Sequence, residues 1–144
     1  MKQFRRILHP TDFSKASGPA FTKALELAKQ NRAELLLVHV LLRSAAYVGD
    51  GYVPPKMYEA LEAEARQSAQ KRLSTLLAKA REAKVRVKAF LVDGVPYQRI
   101  ARVARAKRAD LIVMGTHGRT GLSRLFIGSV TARVIPLARC PVLA

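Results

Sequence analysis

The chain of 144 residues is long enough for one domain with a sizeable core and too short for two full domains. No stretch reaches the run of about 18 apolar residues that a membrane helix needs, and the amino terminus lacks the apolar core of a secretion signal. Cys140 is the only cysteine, which excludes an internal disulfide and a thiolate metal cage. We therefore expect a single soluble, cytoplasmic domain over residues 1–144 with no membrane partner.

The charge is strongly positive and unevenly placed along the chain. Twenty-six Lys and Arg stand against ten Asp and Glu, a formal net charge of +16. From Leu111 to Ala144 there are four arginines and no acid. Such a field concentrates anions, whether nucleotides, nucleic acids or lipid headgroups, and charge alone does not choose among them.

The first half of the chain predicts two strands separated by a helix. Phe4 to Leu8 predicts a short strand that ends in a turn at His9–Asp12, and Ser14 is predicted to cap the helix that follows. Residues 34–42 are almost continuously apolar, which indicates a strand covered on both faces, as in a parallel sheet. Residues 43–55 are rich in Gly and Pro and predict a loop.

The second half alternates helices and strands in the same way. A long helix is predicted from about residue 56 to 82 and another from Pro96, with strands at 85–92 and 110–114. A last helix is predicted from Ser129, followed by a short edge strand at 141–144. The long helix has a predicted buried stripe of Met57, Leu61, Ala65, Leu73, Leu76, Leu77 and Ala80. Five strands alternating with helices predict an α/β fold with one parallel sheet and helices on both faces.

The segment from Gly115 to Val130 is the candidate phosphate-binding region. Its spacing is Gly-x2-Gly-x9-Gly-Ser, with Gly115, Gly118 and Gly128, between a predicted strand and a predicted helix. Glycines let backbone N–H groups approach a phosphate closely, and a helix start offers unpaired N–H groups to an anion. The spacing is neither a Walker loop nor the dinucleotide fingerprint.

These motifs together resemble the universal stress protein family, in its ATP-binding branch, over nearly the whole chain. The resemblance is carried by Ile7–Ser14 (ILHPTDFS), Val38–Val40, Asp93–Gly94, Ala109–Gly121 with Gly128–Ser129, and Cys140–Leu143. It implies a Rossmann-like, open five-stranded parallel sheet in the order 3-2-1-4-5 and a homodimer formed through the C-terminal strand. It also implies an ATP site between strands one and four, with Mg²⁺ or Mn²⁺ carried by the phosphates and no metal ligand in the protein.

The resemblance also implies a role for individual residues. Pro10, Thr11 and Asp12 would line the adenosine, and Val40 and Met114 would pack near the adenine. Ribose and phosphates would be held by Gly115, Thr116, His117, Gly118, Arg119, Thr120, Gly128, Ser129 and Val130. His9 departs from the family pattern, in which a small apolar residue is more usual. No catalytic residue is assigned, because an organised metal site and a positioned base are missing, and at most slow ATP hydrolysis is expected.

Several alternatives stay open at this level. Asp12 could cap the helix behind it, His117 could face solvent, and the +16 charge alone could make the chain a non-specific nucleic-acid-binding protein. His9 and His39 are expected on adjacent strands but without the further ligands that a metal site needs. The role implied by the resemblance is that of a nucleotide-responsive regulator in stress physiology.

Overall fold

The computed structural model describes residues 3–42, 47–48, 51–52, 54–115 and 128–144. Their helices and strands, in chain order, are β1 (Arg6–Pro10), α1 (Ser17–Asn31), β2 (Glu34–Leu41), β3 (Tyr47–Val48), β4 (Gly51–Tyr52), α2 (Pro55–Glu82), β5 (Val87–Asp93), α3 (Pro96–Ala106), β6 (Leu111–Val113), α4 (Ser129–Val134) and β7 (Val142–Leu143). The predicted helices and main strands are all present, most of them with ends within two residues of the predicted ones.

The main sheet has five parallel strands in the order β5-β2-β1-β6-β7. This is the predicted order 3-2-1-4-5, counted over the strands of this sheet, so the α/β fold class is confirmed. The described helices do not include one long and apolar enough to cross a membrane.

Alternate residues of the central strands pack into two separate hydrophobic cores, one on each face of the sheet. On one face Ile7 and Leu35 pack with α1 and α2, and on the other Leu8 and Leu36 pack with α3 and α4. This explains the continuous apolar run in β2, because both faces of a parallel sheet are covered by helices.

Helix α2 departs from its predicted burial over its first half. Leu73 and Ala80 are buried as predicted, whereas the side chains of Met57 and Leu61 are 57% and 53% exposed and Ala65 is also exposed. A helix of 28 residues is about 42 Å long, whereas the seven-residue strand β5 beside it spans about 23 Å. The first half of α2 therefore extends past the sheet, beyond the core that the described residues form.

Two local predictions were also wrong. The predicted loop at 43–55 contains a small antiparallel pair, with Tyr47 opposite Tyr52 and Val48 opposite Gly51. Helix α1 begins at Ser17 and not directly after Ser14. The Ser14 hydroxyl still accepts the Ser17 N–H at 3.3 Å, but two turn residues separate it from the helix.

Candidate functional site

The carboxyl ends of β1 and β6 lie side by side at the centre of the sheet, with Ile7 opposite Leu111 and Leu8 opposite Ile112. The chain leaves β1 for α1 on one face of the sheet, and α4, which follows β6, packs on the other face. In open parallel sheets, ligands bind where neighbouring connections diverge in this way. The crevice beyond β1 and β6 is therefore the candidate site.

The turn after β1 is held by two of its own side chains. The hydroxyl of Thr11 accepts the N–H of Phe13 at 3.0 Å, and Asp12 Oδ1 accepts the N–H of Ser14 at 2.9 Å. Phe13 takes a left-handed conformation, with φ of 62°. The Asp12 carboxylate therefore braces this turn, and it does not cap α1, which begins five residues after it at Ser17.

Two buried histidines fix the backbone on either side of this turn. His9 Nδ1 donates to the carbonyl of Val113 on β6 at 2.9 Å, and His39 Nδ1 donates to the carbonyl of Thr11 at 2.7 Å. Burial lowers the pKa of His9, against the smaller opposing effects of the Val113 carbonyl and the Asp12 carboxylate. The described residues hold no cluster of three metal-binding side chains. The sequence placed these histidines on adjacent strands but did not reveal that each one ties a loop or strand in place.

Gly115 is the point where three segments of the candidate site meet. A Cβ on this residue would lie 3.0 Å from the carbonyl oxygen of Ala16, just before α1. The Gly115 carbonyl accepts the hydroxyl of Thr131, in the first turn of α4, at 3.0 Å. A side chain at Gly115 would therefore be crowded against the start of α1, and the backbone there would have to shift by a few tenths of an ångström to admit it. Thr131 is a site residue that sequence reasoning missed, because only the fold brings it to Gly115.

The apolar residues that are predicted to line the site lie on the same side of the sheet. Val40, Met114 and Val130 all belong to or pack against the cluster on the α3–α4 face of the sheet. Met114 is 6% exposed, and its N–H donates to the carbonyl of Leu143 on β7 at 2.9 Å. The structure thus brings the ends of β2, β6 and the start of α4 to one side of the crevice.

The predicted phosphate-binding segment is described only at its two ends. Gly128 precedes α4 with φ of −57°, a conformation open to any residue, and Ser129 at the helix start is exposed. Gly128 is therefore not required by a left-handed backbone. Thr116, His117, Gly118, Arg119 and Thr120 lie outside the described residues.

The other described acid at this edge of the sheet is already engaged. The two carboxylate oxygens of Asp93, at the end of β5, accept hydrogen bonds from Arg66 Nη2 at 2.7 and 2.9 Å. A groove of about 250 Å³ does not lie here but at the opposite edge, between the end of α3 and residues 137–140. The candidate site is therefore assigned from the convergence of the described backbone segments.

Comparisons with known proteins point to the same family that the sequence motifs resemble. The model of the universal stress protein family matches residues 3–144. A universal stress protein of Methanocaldococcus jannaschii is 38% identical over 141 residues, covering 97% of this chain and 81% of its own. The solved universal stress protein of Lactobacillus plantarum has a TM-score of 0.84 and 30% identity, covering 99% of this chain and 98% of its own. A universal stress protein of Archaeoglobus fulgidus, solved in complex with dAMP, shares the fold at a TM-score of 0.70 and 22% identity, covering 99% and 98%.

Proposed function

This chain belongs to the universal stress protein family, and we propose that it is an ATP-binding, nucleotide-responsive regulatory protein acting in the cytoplasm during stress. The observation that carries the proposal is the convergence at Gly115 of the start of α1, the end of β6 and the first turn of α4. This is the position at which open parallel sheets bind nucleotides. The dAMP complex of the Archaeoglobus fulgidus protein supports it, since that fold accommodates an adenine nucleotide.

The proposed roles of the residues follow the two sides of the crevice. The adenine packs near Val40 and Met114, and the adenosine lies against Pro10–Asp12. Residues 115–120 wrap the ribose and phosphates, and residues 128–130 hold the phosphate tail. Mg²⁺ or Mn²⁺ enters with the phosphates, because the protein supplies no cluster of ligands among the described residues.

Hydrolysis of the bound ATP is proposed to be slow at most. Rapid phosphoryl transfer, at the ~1–100 per second of kinases, needs a positioned base or water and an organised metal. Among the acids, Asp12 lies nearest along the chain to the strand ends that form the crevice. Its Oδ1 already accepts the Ser14 N–H. Asp93 is held by Arg66. The bound nucleotide therefore acts as a signal more than as a substrate.

We also propose a homodimer through β7. This strand is the last in the sheet order, so one of its edges lacks a neighbouring strand among the described residues. Three large apolar side chains at this end of the molecule, Ile135, Leu137 and Leu143, are 44%, 51% and 39% exposed. Pairing with a second copy of β7 would cover both the strand edge and these side chains.

The ATP site is tested by replacing Gly128 with valine. Because the φ of Gly128 is −57°, the substitution adds no left-handed strain, and any loss of binding comes from the branched side chain crowding the phosphates. We expect ATP affinity to fall at least about tenfold, which corresponds to about 1.4 kcal/mol. Isothermal titration with ATP and Mg²⁺ measures the change, and thermal melting confirms that the variant is folded.

The matched control removes charge away from the crevice. Arg102→Gln with Arg105→Gln changes two exposed residues of α3 and is expected to leave ATP affinity nearly unchanged. Equal losses in the control and in Gly128→Val would mean that ATP is attracted by diffuse charge, and the site assignment would be wrong.

A further inference from the structure

The edge of the sheet opposite the candidate ATP site carries a dense concentration of positive charge. Five segments lead into the amino ends of the strands: residues 3–6, 29–34, 79–86, 105–110 and 138–141. We call their common surface the amino-edge face. Together they contain twelve Lys and Arg, all exposed, and three acids, which leaves a net charge of nine. Nearly half of the basic residues of the chain are therefore gathered at one edge of the sheet.

The acids of this face do little to offset that charge. Glu34 lies 3.7 Å from Lys88, a further cation of β5 outside the five segments. Asp110 Oδ2 accepts the backbone N–H groups of Arg5 and Arg6, at 2.7 and 2.9 Å. Only Glu82, the third acid of these segments, is exposed.

Helix ends explain part of the charge but not most of it. Helices α1, α2 and α3 end at this face, and each carboxyl end carries about half a negative charge that cations stabilise. Three such ends amount to about one and a half charges, well below the net charge of nine. Arg86 Nη2, which donates to the carbonyl of Arg32 at 3.1 Å, is a cation used in this way.

Basic residues also occupy positions at which the backbone conformation favours another residue type. After each of these helices one basic residue takes the left-handed conformation: Arg32, Lys84 and Arg108, with φ of 53°, 61° and 55°. Glycine or asparagine is the favoured residue at such a position. The end of a helix therefore does not by itself explain why Lys or Arg occupies these three positions.

The amino-edge face also contains the groove of about 250 Å³. Arg105, Arg108 and Arg139 line it, together with the apolar Ala104 and Leu137. In the part of the chain that the structure describes, no ion pair joins these three arginines to a carboxylate. Guanidinium groups present forked donors that match phosphate oxygens, so the groove offers three such donors to one anionic ligand.

We propose that the amino-edge face binds the phosphate backbone of double-stranded nucleic acid without reading its sequence. The edge of a five-stranded sheet is about 19 Å wide, enough to contact several phosphates of a duplex, in which each strand carries one phosphate per about 3.4 Å of helix axis. Phe4 is the one aromatic residue in the five segments, and it packs against the core, so this face offers no stacking surface for single-stranded bases. The inference rests on the charge placement in this chain and is independent of the proposed ATP site.

The test compares two triple variants that change the net charge equally. The face variant combines Arg105→Gln, Arg108→Asn and Arg139→Gln, with asparagine chosen because it tolerates the left-handed conformation. The control combines Lys23→Gln, Lys56→Gln and Lys71→Gln, which are exposed residues of α1 and α2 outside the five segments. A random-sequence DNA duplex carrying a fluorophore is titrated with each protein at salt concentrations between about 50 and 200 mM.

The face variant is expected to bind the duplex at least about tenfold more weakly at low salt, with the slope of log affinity against log salt smaller by about two to three. The control should bind as the parent protein does, and both triples should keep the parent's ATP affinity and melting temperature. The paired variant Arg32→Asn with Lys84→Asn, on the other half of the face, should also weaken duplex binding. Equal losses in the face variant and the control, tighter binding of single-stranded DNA than of the duplex, or displacement by polyglutamate at equal charge would each overturn the proposal.

Discussion

At the scale of single residues, His9 couples the stability of the central sheet to pH. Its ring is fully buried, 5.9 Å from the ring of Phe21, and its Nε2 has no hydrogen-bond partner among the described residues. Burial holds the pKa of His9 below its usual value, so the folded protein keeps this ring neutral where the unfolded chain would protonate it. Protons bound only by the unfolded chain favour unfolding.

We predict that the free energy of unfolding decreases as pH falls below about 6.5, the pKa of histidine in an unfolded chain. His9 contributes fully above that pH, and its contribution declines by at most about 1.4 kcal/mol per pH unit until the lower folded-state pKa is reached. Urea unfolding at pH 7.5 and 5.5 measures the change. His9→Asn keeps a donor for the Val113 carbonyl but does not titrate. The free energy of unfolding of this variant should therefore decrease less between the two pH values. Equal decreases in the free energy of unfolding of both proteins would mean that other groups cause the pH dependence.

At the scale of elements, the candidate site depends on how α4 is joined to the end of β6. Thr131 is 2% exposed, and its hydroxyl makes the hydrogen bond to Gly115. Helix α4 has only six residues, so its own backbone hydrogen bonds are few and this side-chain bond matters for its position. By contrast, α2 is long enough to extend past the sheet, with Leu61 largely exposed.

We predict that Thr131→Val lowers both stability and ATP affinity. The methyl group fills the same volume but leaves the Gly115 carbonyl without its donor, at a cost of about 1–3 kcal/mol if that carbonyl stays buried. Thr131→Ser restores the hydroxyl and should recover most of the ATP affinity, although it leaves a small cavity. Unfolding by urea and titration with ATP measure the two effects. A Thr131→Val protein that binds ATP as tightly as the parent would show that α4 is positioned without this hydrogen bond.

At the scale of the whole molecule, the parallel arrangement separates two surfaces of different character. The carboxyl ends of the strands carry the connections of the candidate ATP site, and the amino ends carry the exposed cations. The β7 edge lies between them, at one end of the sheet order. A dimer through this edge would still leave open the segments that lead into β1, β2 and β5, which lie away from β7 in the sheet order.

We predict that the protein sediments as a dimer at micromolar concentration and that Leu143→Lys converts it to a monomer. In a two-fold pair through β7, each copy would place an introduced lysine at the interface, where like charges repel. Leu61→Lys is the matched control, because Leu61 is also an exposed leucine but lies on α2. A parent protein that is purely monomeric, with or without ATP, would contradict the proposed dimer, and dissociation of both variants would contradict the role of β7.

Hydrophobic pattern and turn residues were sufficient to predict the main helices and strands. The alternation of these elements predicted the parallel sheet, and the resemblance supplied its strand order, because local periodicity does not specify which strands are neighbours. The placement of Pro10–Asp12, Met114–Gly115 and Gly128–Val130 at strand and helix ends was also predicted. These features depend on residues close together in the sequence.

Tertiary structure alone decided the contacts between distant segments. The bond from Thr131 to Gly115, the pairing of His9 with Val113 and the close approach of Gly115 to Ala16 join residues that no local pattern relates. The exposure of Met57 on α2 depends on where the sheet ends and not on the helical pattern itself. The +16 charge is likewise a property of the sequence, but its concentration at one edge arises because a parallel sheet brings the amino ends of all its strands to the same side.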